Sequence, residues 1–171
     1  MTQTFDVEVE RDFAAPIERV WSAWVEPNDL REWWGPAGFT CPRAEADVRI
    51  GGRILVTMRA PEEWGSMEQH STWTITALEP PRRLDYTFEF VDADGTVITP
   101  EAAGIPADGI PERGEPTVEL TELGEGRTRL RMRERGYGTK AARDMSRSGL
   151  DQCLDKMAVL VEHPGGGSGA S

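Results

Sequence analysis

Two patterns alternate along this chain: a period of two, typical of half-buried strands, and a period of three to four, typical of one helical face. The first stretch, from Phe5 through Val7 and Val9 to Arg11, puts apolar and charged residues on opposite faces, as a strand does. Pro16 is suited to a first helical turn. Ile17, Val20, Trp21, Trp24 and Val25 then recur at helical spacing until Glu26 and Pro27, because the residue before a proline avoids helical angles. A second short helix is predicted from Asn28 to Trp34, stopped by Gly35 and Pro36. Strand patterns follow from Ala44 to Ile50 and from Arg53 to Met58, joined at Gly51-Gly52, a hairpin signal that needs positive φ. Thr72–Leu78 alternates with Trp73, Ile75 and Ala77 on one side. Pro80-Pro81 makes a turn, and Leu84, Tyr86, Phe88 and Phe90 line one face of the most aromatic strand. Val118 and Leu120, and then Thr128, Leu130 and Met132, mark the last two strands, with a turn at Gly124–Gly126.

Thr139–His163 carries the longest helical pattern. Ala142, Met145, Ser146, Gly149, Leu150, Cys153, Leu154, Met157, Leu160 and Val161 form its apolar stripe, and charged residues fill the opposite face. Thr139 suits the N-cap, and Pro164 stops the helix. Ser146, Gly149 and Cys153 make the middle of the stripe small and soft, which leaves room beneath it. The predicted order is β-αα-β6-α, an α+β architecture: a curved antiparallel sheet of about seven strands around a long C-terminal helix. Residues 1–163 read as a single domain. Positions 92–116, rich in Gly, Pro and acids, have no sustained period and read as a long surface excursion; such loops are usually lids, binding loops or disordered. The Gly/Ser-rich 164–171 reads as a flexible tail.

Composition narrows the function. With 19 Lys and Arg against 30 Asp and Glu, the formal net charge is −11, the wrong sign for phosphate backbones, so nucleic acid is not an expected partner. No run approaches the roughly 20 apolar residues of a membrane span. No signal peptide pattern opens the chain, and two cysteines, Cys41 and Cys153, make no disulfide framework, so a cytoplasmic protein is expected. Metal binding is not expected either: His70, with His163 only at the far end of the last helix, and two distant cysteines lack zinc-like spacing. No nucleophile motif, phosphate loop or dinucleotide fingerprint appears, and no cofactor is implied. Six tryptophans are many for this length and point to aromatic cores or pockets.

Several phrases together resemble the SRPBCC superfamily, also called START-like or helix-grip, and within it the activator of HSP-90 ATPase homologue family. They are Ala15–Trp24, Pro27–Leu30, Trp33–Pro36, Asp47–Gly52, Leu78–Tyr86 and Thr128–Leu130, in register over residues 5–162. The resemblance implies a helix-grip fold with a cavity between sheet and helix. Members of the family commonly carry Gly-Trp in the last helix; Gly149-Leu150 here implies a roomier cavity. The eukaryotic co-chaperone that gives the family its name has a further N-terminal domain with no counterpart in these 171 residues, so chaperone activation is the lesser expectation.

The pocket is therefore assigned to Met58, Trp73, Tyr86, Phe88, Phe90, Leu120 and Met132 of the sheet and to Met145, Gly149 and Cys153 of the helix. Trp33, Trp34, Phe39, Trp64 and Met67 are expected to close one end. The plain alternative is a filled core. Large aromatics with Met and Cys suit a plastic pocket for a small hydrophobic or aromatic ligand. His70, Tyr86 and Thr128 are candidate polar handles. Glu68 and His70 share a face of a regular strand, a formal acid–base pair, although a rim histidine is the ordinary reading. Cys153 reads as an inert buried thiol, since no base or cation is placed beside it. The expectation is a ligand-binding, non-catalytic monomer or homodimer. A protein-interaction module acting through the acidic insert, and a cyclase- or hydrolase-like enzyme using pocket His and Tyr, are the alternatives.

Overall fold

A computed structural model describes residues 3–105 and 108–163; the predicted tail at 164–171 lies outside the described residues. Strand β1 (Phe5–Phe13) leads into α1 (Ile17–Val25) and α2 (Pro27–Trp33). Then come β2 (Thr40–Ala46), β3 (Arg53–Arg59), a 3₁₀ turn at Glu62–Trp64, β4 (Glu68–Glu79) and β5 (Arg83–Val91). The two-residue β6 (Arg113–Gly114) precedes β7 (Thr117–Gly124), β8 (Arg127–Tyr137) and α3 (Lys140–Glu162). All strand pairs are antiparallel, in the order β1-β8-β7-β5-β4-β3-β2, with β6 beside β5.

Irregular pairing near Asp6, between Thr40 and Arg43, and near Thr76 bends the sheet, as extra residues in a ladder do. The concave face carries Ile54, Val56, Trp73, Ile75, Leu84, Tyr86, Val118, Leu120, Leu130 and Met132, all buried in one hydrophobic cluster with α1, α2 and α3. Tryptophan fills one end of it. Trp24 meets Trp33 edge-on with centroids 4.9 Å apart, Trp34 meets Trp73 at 5.0 Å, and Trp73 stacks on Tyr86 at 4.8 Å. Such aromatic pairs contribute beyond the area they bury.

Thr139 caps α3 by accepting the Ala142 N–H at 3.1 Å. The two halves of this helix pack differently. Leu150, Cys153, Leu154, Met157 and Val161 are buried, whereas only Ala142 is buried before Leu150. The apolar stripe from Thr139 to His163 is thus a core contact in its second half only.

One expectation is corrected. The second strand begins at Thr40 and ends at Ala46 rather than running from Ala44 to Ile50; Val48 and Ile50 are exposed. The described residues of 92–116 are mostly loop, tied down at a few points. Val97 bridges Val91, Ile98 N–H bonds to the Phe90 carbonyl at 2.9 Å, and β6 pairs with Phe88 and Glu89. The chain returns as β7 after Pro116, which has no N–H for the ladder and so separates β6 from β7. At its far end the Gly138 N–H donates to the Gly109 carbonyl at 2.8 Å, and Thr139 Oγ1 lies 3.4 Å from the Asp108 carbonyl. The segment is a strap from β5 to the start of α3.

Candidate functional site

Between the concave face and the first half of α3 lies a cavity of about 250 Å³. Met58 of β3, Gln69 of β4, Tyr86, Phe88 and Phe90 of β5, and Met132 and Glu134 of β8 form its floor. Met145, Ser146, Gly149, Leu150 and Cys153 of α3 form its roof, Trp34 and Pro36 one end, and Ile105, Ile110 and Pro111 of the strap a side wall. Tyr137 and Arg135 lie at the β8 end of the lining. Met145 lines the space and is 46% exposed, so the cavity reaches the surface there.

The roof is open because of Gly149: a Cβ placed on it meets no atom within 4 Å. In the small-residue centre of the predicted stripe, Gly149 therefore covers space, whereas Cys153 both lines the cavity and belongs to the buried cluster. Leu150 lines the same space.

The predicted pocket residues divide sharply. Trp34, Met58, Tyr86, Phe88, Phe90, Met132, Met145, Gly149 and Cys153 come together in the lining. Trp33 and Trp73 do not line it; they are fully buried, with Trp33 Nε1 donating to the Ala23 carbonyl at 2.6 Å. Leu120 belongs to the filled core, where β7 passes under α1. Phe39 and Trp64 pair with each other at 5.9 Å outside the cavity, and Trp64 is 63% exposed on its 3₁₀ turn. Met67 is also exposed, beside Gly104 of the strap.

Two predicted polar handles are corrected. Thr128 is fully buried at the start of β8 and donates to the Ala15 carbonyl at 2.8 Å, tying β8 to the entry of α1. His70 falls on the convex face, because Gln69, Ser71 and Trp73 take the concave positions of β4; its Nδ1 shares a 2.7 Å hydrogen bond with Thr57 Oγ1. Glu68 on the same face is bound by Arg59, with Nε at 2.8 Å. The two therefore make no acid–base pair. Tyr86 does line the cavity, and burial holds its hydroxyl well above its ordinary value.

The polar groups that sequence reasoning missed are Gln69, Glu134, Arg135 and Tyr137. Glu134 follows Leu130 and Met132 by the same step of two, so it points inward. Tyr137 donates to Glu134 Oε1 at 3.3 Å. Burial pushes the Glu134 carboxyl up to about 7 against the opposing pull of that hydrogen bond. Burial and the adjacent Glu134 raise the Tyr137 hydroxyl as well. Burial pushes Cys153 up to about 11, so it is a neutral thiol at ordinary pH. No cluster of three or more His, Cys, Asp or Glu able to hold a metal occurs among the described residues. Among those residues, too, no helix is long and apolar enough to cross a membrane.

A bent antiparallel sheet gripping a long helix over an apolar cavity defines the helix-grip class, a fold known for ligand binding. The chain belongs to the family described as Activator of Hsp90 ATPase homolog 1-like protein, whose model matches residues 14–162. Its fold is similar to that of protein CV1439 from Chromobacterium violaceum (27% identity, TM-score 0.73, covering 92% of this chain and 96% of that one). It is also similar to a solution structure from Arthrobacter aurescens (23%, TM-score 0.74, covering 93% and 87%). The AHSA1 protein from Silicibacter pomeroyi shares the fold at 21% identity and TM-score 0.70, covering 91% and 96%. No curated protein matches the chain.

Proposed function

We propose that this protein binds a small hydrophobic or aromatic molecule between its sheet and α3 and performs no chemistry on it. One observation carries this reading: Gly149 faces open space above an apolar floor. A helix that merely closed a core would fill that position. Met58, Met132 and Met145 supply adaptable thioether walls, and Tyr86, Phe88 and Phe90 supply flat faces. Pockets for drug-sized ligands run to about 300–1,000 Å³, so a cavity of about 250 Å³ suits a compact guest.

Catalysis has one feature in its favour, the carboxyl of Glu134 near 7, where a general base is poised. The groups beside it do not complete a pair, since burial pushes the Cys153 thiol and the Tyr137 hydroxyl away from their ionised forms. The residues first suited to acid–base work, Glu68 and His70, are engaged on the convex face. The inward Ile105 and Ile110 support the strap as a cavity wall rather than a docking arm for a protein partner.

Gly149→Trp tests the proposal by filling the roof. With wild type, apolar aromatic guests raise the melting temperature, and native mass spectrometry of protein from its own host shows a retained molecule. The variant keeps its far-UV circular dichroism but loses both effects. Equal shifts in wild type and variant remove the cavity as the binding place. A panel of aromatic and lipid-like compounds that moves neither protein removes the proposal.

A further inference from the structure

We infer that the guest is an organic cation: a compact apolar or aromatic molecule with one amine or other positively charged nitrogen, seated against the Glu134 carboxylate. This rests on the binding function proposed above and adds the charge of the ligand.

Strand β8 treats the charges on its two faces differently. On the convex face of β8, Arg129 pairs with Asp12 at 2.8 Å, Arg131 with Glu10 at 2.7 Å and Arg133 with Asp6 at 2.8 Å. On the concave face Glu134 forms no ion pair among the described residues, and its one hydrogen bond is the 3.3 Å contact from Tyr137. Glu134 is half-buried in the cavity wall, and a carboxylate partly withdrawn from water is costly unless a cation or several donors meet it. Here one weak neutral donor does. The rest of the space beside it is cavity, so the complement can come from a guest.

The surroundings select the kind of complement. Tyr86, Phe88 and Phe90 present aromatic surface in the same space, and aromatic faces attract cations, most strongly where water is excluded. A charged donor to a carboxylate makes about twice as strong a hydrogen bond as a neutral one. An anionic guest meets repulsion from Glu134 and from a chain of net charge −11.

The groups around the carboxylate come from each wall. Tyr137 and Arg135 belong to its own strand, Tyr86 to β5, and Ser146 and Cys153 to α3; Arg135, the one cation in the lining among the described residues, is exposed and makes no ion pair with Glu134, and Ile105, Ile110 and Pro111 of the strap bring no charge. Because burial sets the empty-site carboxyl near 7, it is partly neutral at that pH. A cation favours the ionised form, so binding releases a proton and affinity rises with pH across this range.

The test uses the full chain and three probes with one ring system: naphthylmethylamine, naphthylmethanol and naphthoate. Fluorescence titration at pH 8 is expected to show the amine at least about tenfold tighter than the alcohol, with naphthoate weakest. The preference disappears in Glu134→Gln, which keeps the side-chain shape. Should that variant not fold, the wild-type preference at pH 8 collapses at pH 5, where the carboxyl is neutral and the amine still charged. Calorimetry near pH 7 in two buffers of different ionisation heat shows proton release. An alcohol that binds as tightly as the amine, or an amine preference that survives Glu134→Gln, overturns the charge assignment and leaves apolar binding standing. No binding by any of the three, with no thermal shift from the apolar panel, overturns both.

Discussion

Glu134 makes an unusual demand on the fold. Its carboxyl titrates near 7 in the folded chain against an ordinary value of 4.5. Between those values the native state holds more protons than the unfolded chain, so this group destabilises the fold increasingly as pH rises from about 4.5 to about 7. The full shift corresponds to at most about 3 kcal/mol. Glu134→Gln removes it. Urea titrations of the empty protein are expected to show the variant gaining about 1–3 kcal/mol on wild type at pH 8 relative to pH 5. Equal pH profiles for the two proteins would show that the carboxyl is not desolvated.

The same residue shows how far a sequence can be read. Thr128, Leu130 and Met132 share an inward face, and one more step of two reaches Glu134; the pattern contained the residue although apolar periodicity alone stops at Met132. Thr128 shares that parity but not that role. Its hydroxyl is taken by the Ala15 carbonyl, a contact 113 residues apart in sequence that no local pattern reveals.

Among the elements, strands and helices were the legible part, because their periods repeat often enough to outvote single residues. The short α1 and α2, the aromatic β5 and the long α3 all follow from spacing and from proline and glycine stops. The strap was not legible. Its apolar residues Val97, Ile98, Ile105 and Ile110 are too few and too widely spaced to make a period, and only the folded chain brings two of them to the cavity. The tryptophans misled for the opposite reason. Trp33 and Trp73 are as aromatic as Trp34, but the rings of the cluster cover one another, and only Trp34 is left to reach the lining.

The strap has one fastening where a single atom decides. Gly109 has φ +86°, and a Cβ there would stand 2.5 Å from Thr139 Oγ1 and 2.7 Å from the Thr139 nitrogen. Both the backbone angle and the contact forbid a side chain. Gly109→Ala is therefore expected to loosen the strap from the start of α3, and to speed release of a naphthyl guest in stopped-flow fluorescence by about tenfold or more. Core stability changes little, because neither Gly109 nor Thr139 belongs to the buried cluster. An unchanged release rate would mean that the strap does not hold the guest.

Across the whole molecule, charge and burial are segregated. The convex side of β1 and β8 carries a ladder of arginine–carboxylate pairs. The Arg133 hydrogen bond holds Asp6 below its ordinary value, and that of Arg129 does the same for Asp12. Those carboxylates favour the fold above their unfolded range, and the support is lost as pH falls, the reverse of Glu134. Exposed pairs of this sort contribute little each and are screened by salt. The sheet ends in β2, whose Pro42, Arg43 and Glu45 discourage another strand from adding there.

The unequal halves of α3 have a consequence for anyone who handles this protein. From Leu150 onward the helix is fixed by the chain's own buried side chains, but the turns before it are held only by Ala142, the Thr139 cap and the contacts of Arg143 with Phe5 and the Asp6 carbonyl among the interactions described. A guest would supply the missing packing, so preparations differing only in how much of it survives purification should melt at different temperatures. Stripping with organic solvent or a hydrophobic resin is expected to lower the midpoint, and adding the molecule back to restore it with a logarithmic dose dependence. A midpoint indifferent to stripping and reloading would mean that the roof stands unaided. Otherwise the apparent heat resistance of this protein is partly a record of the cell it came from.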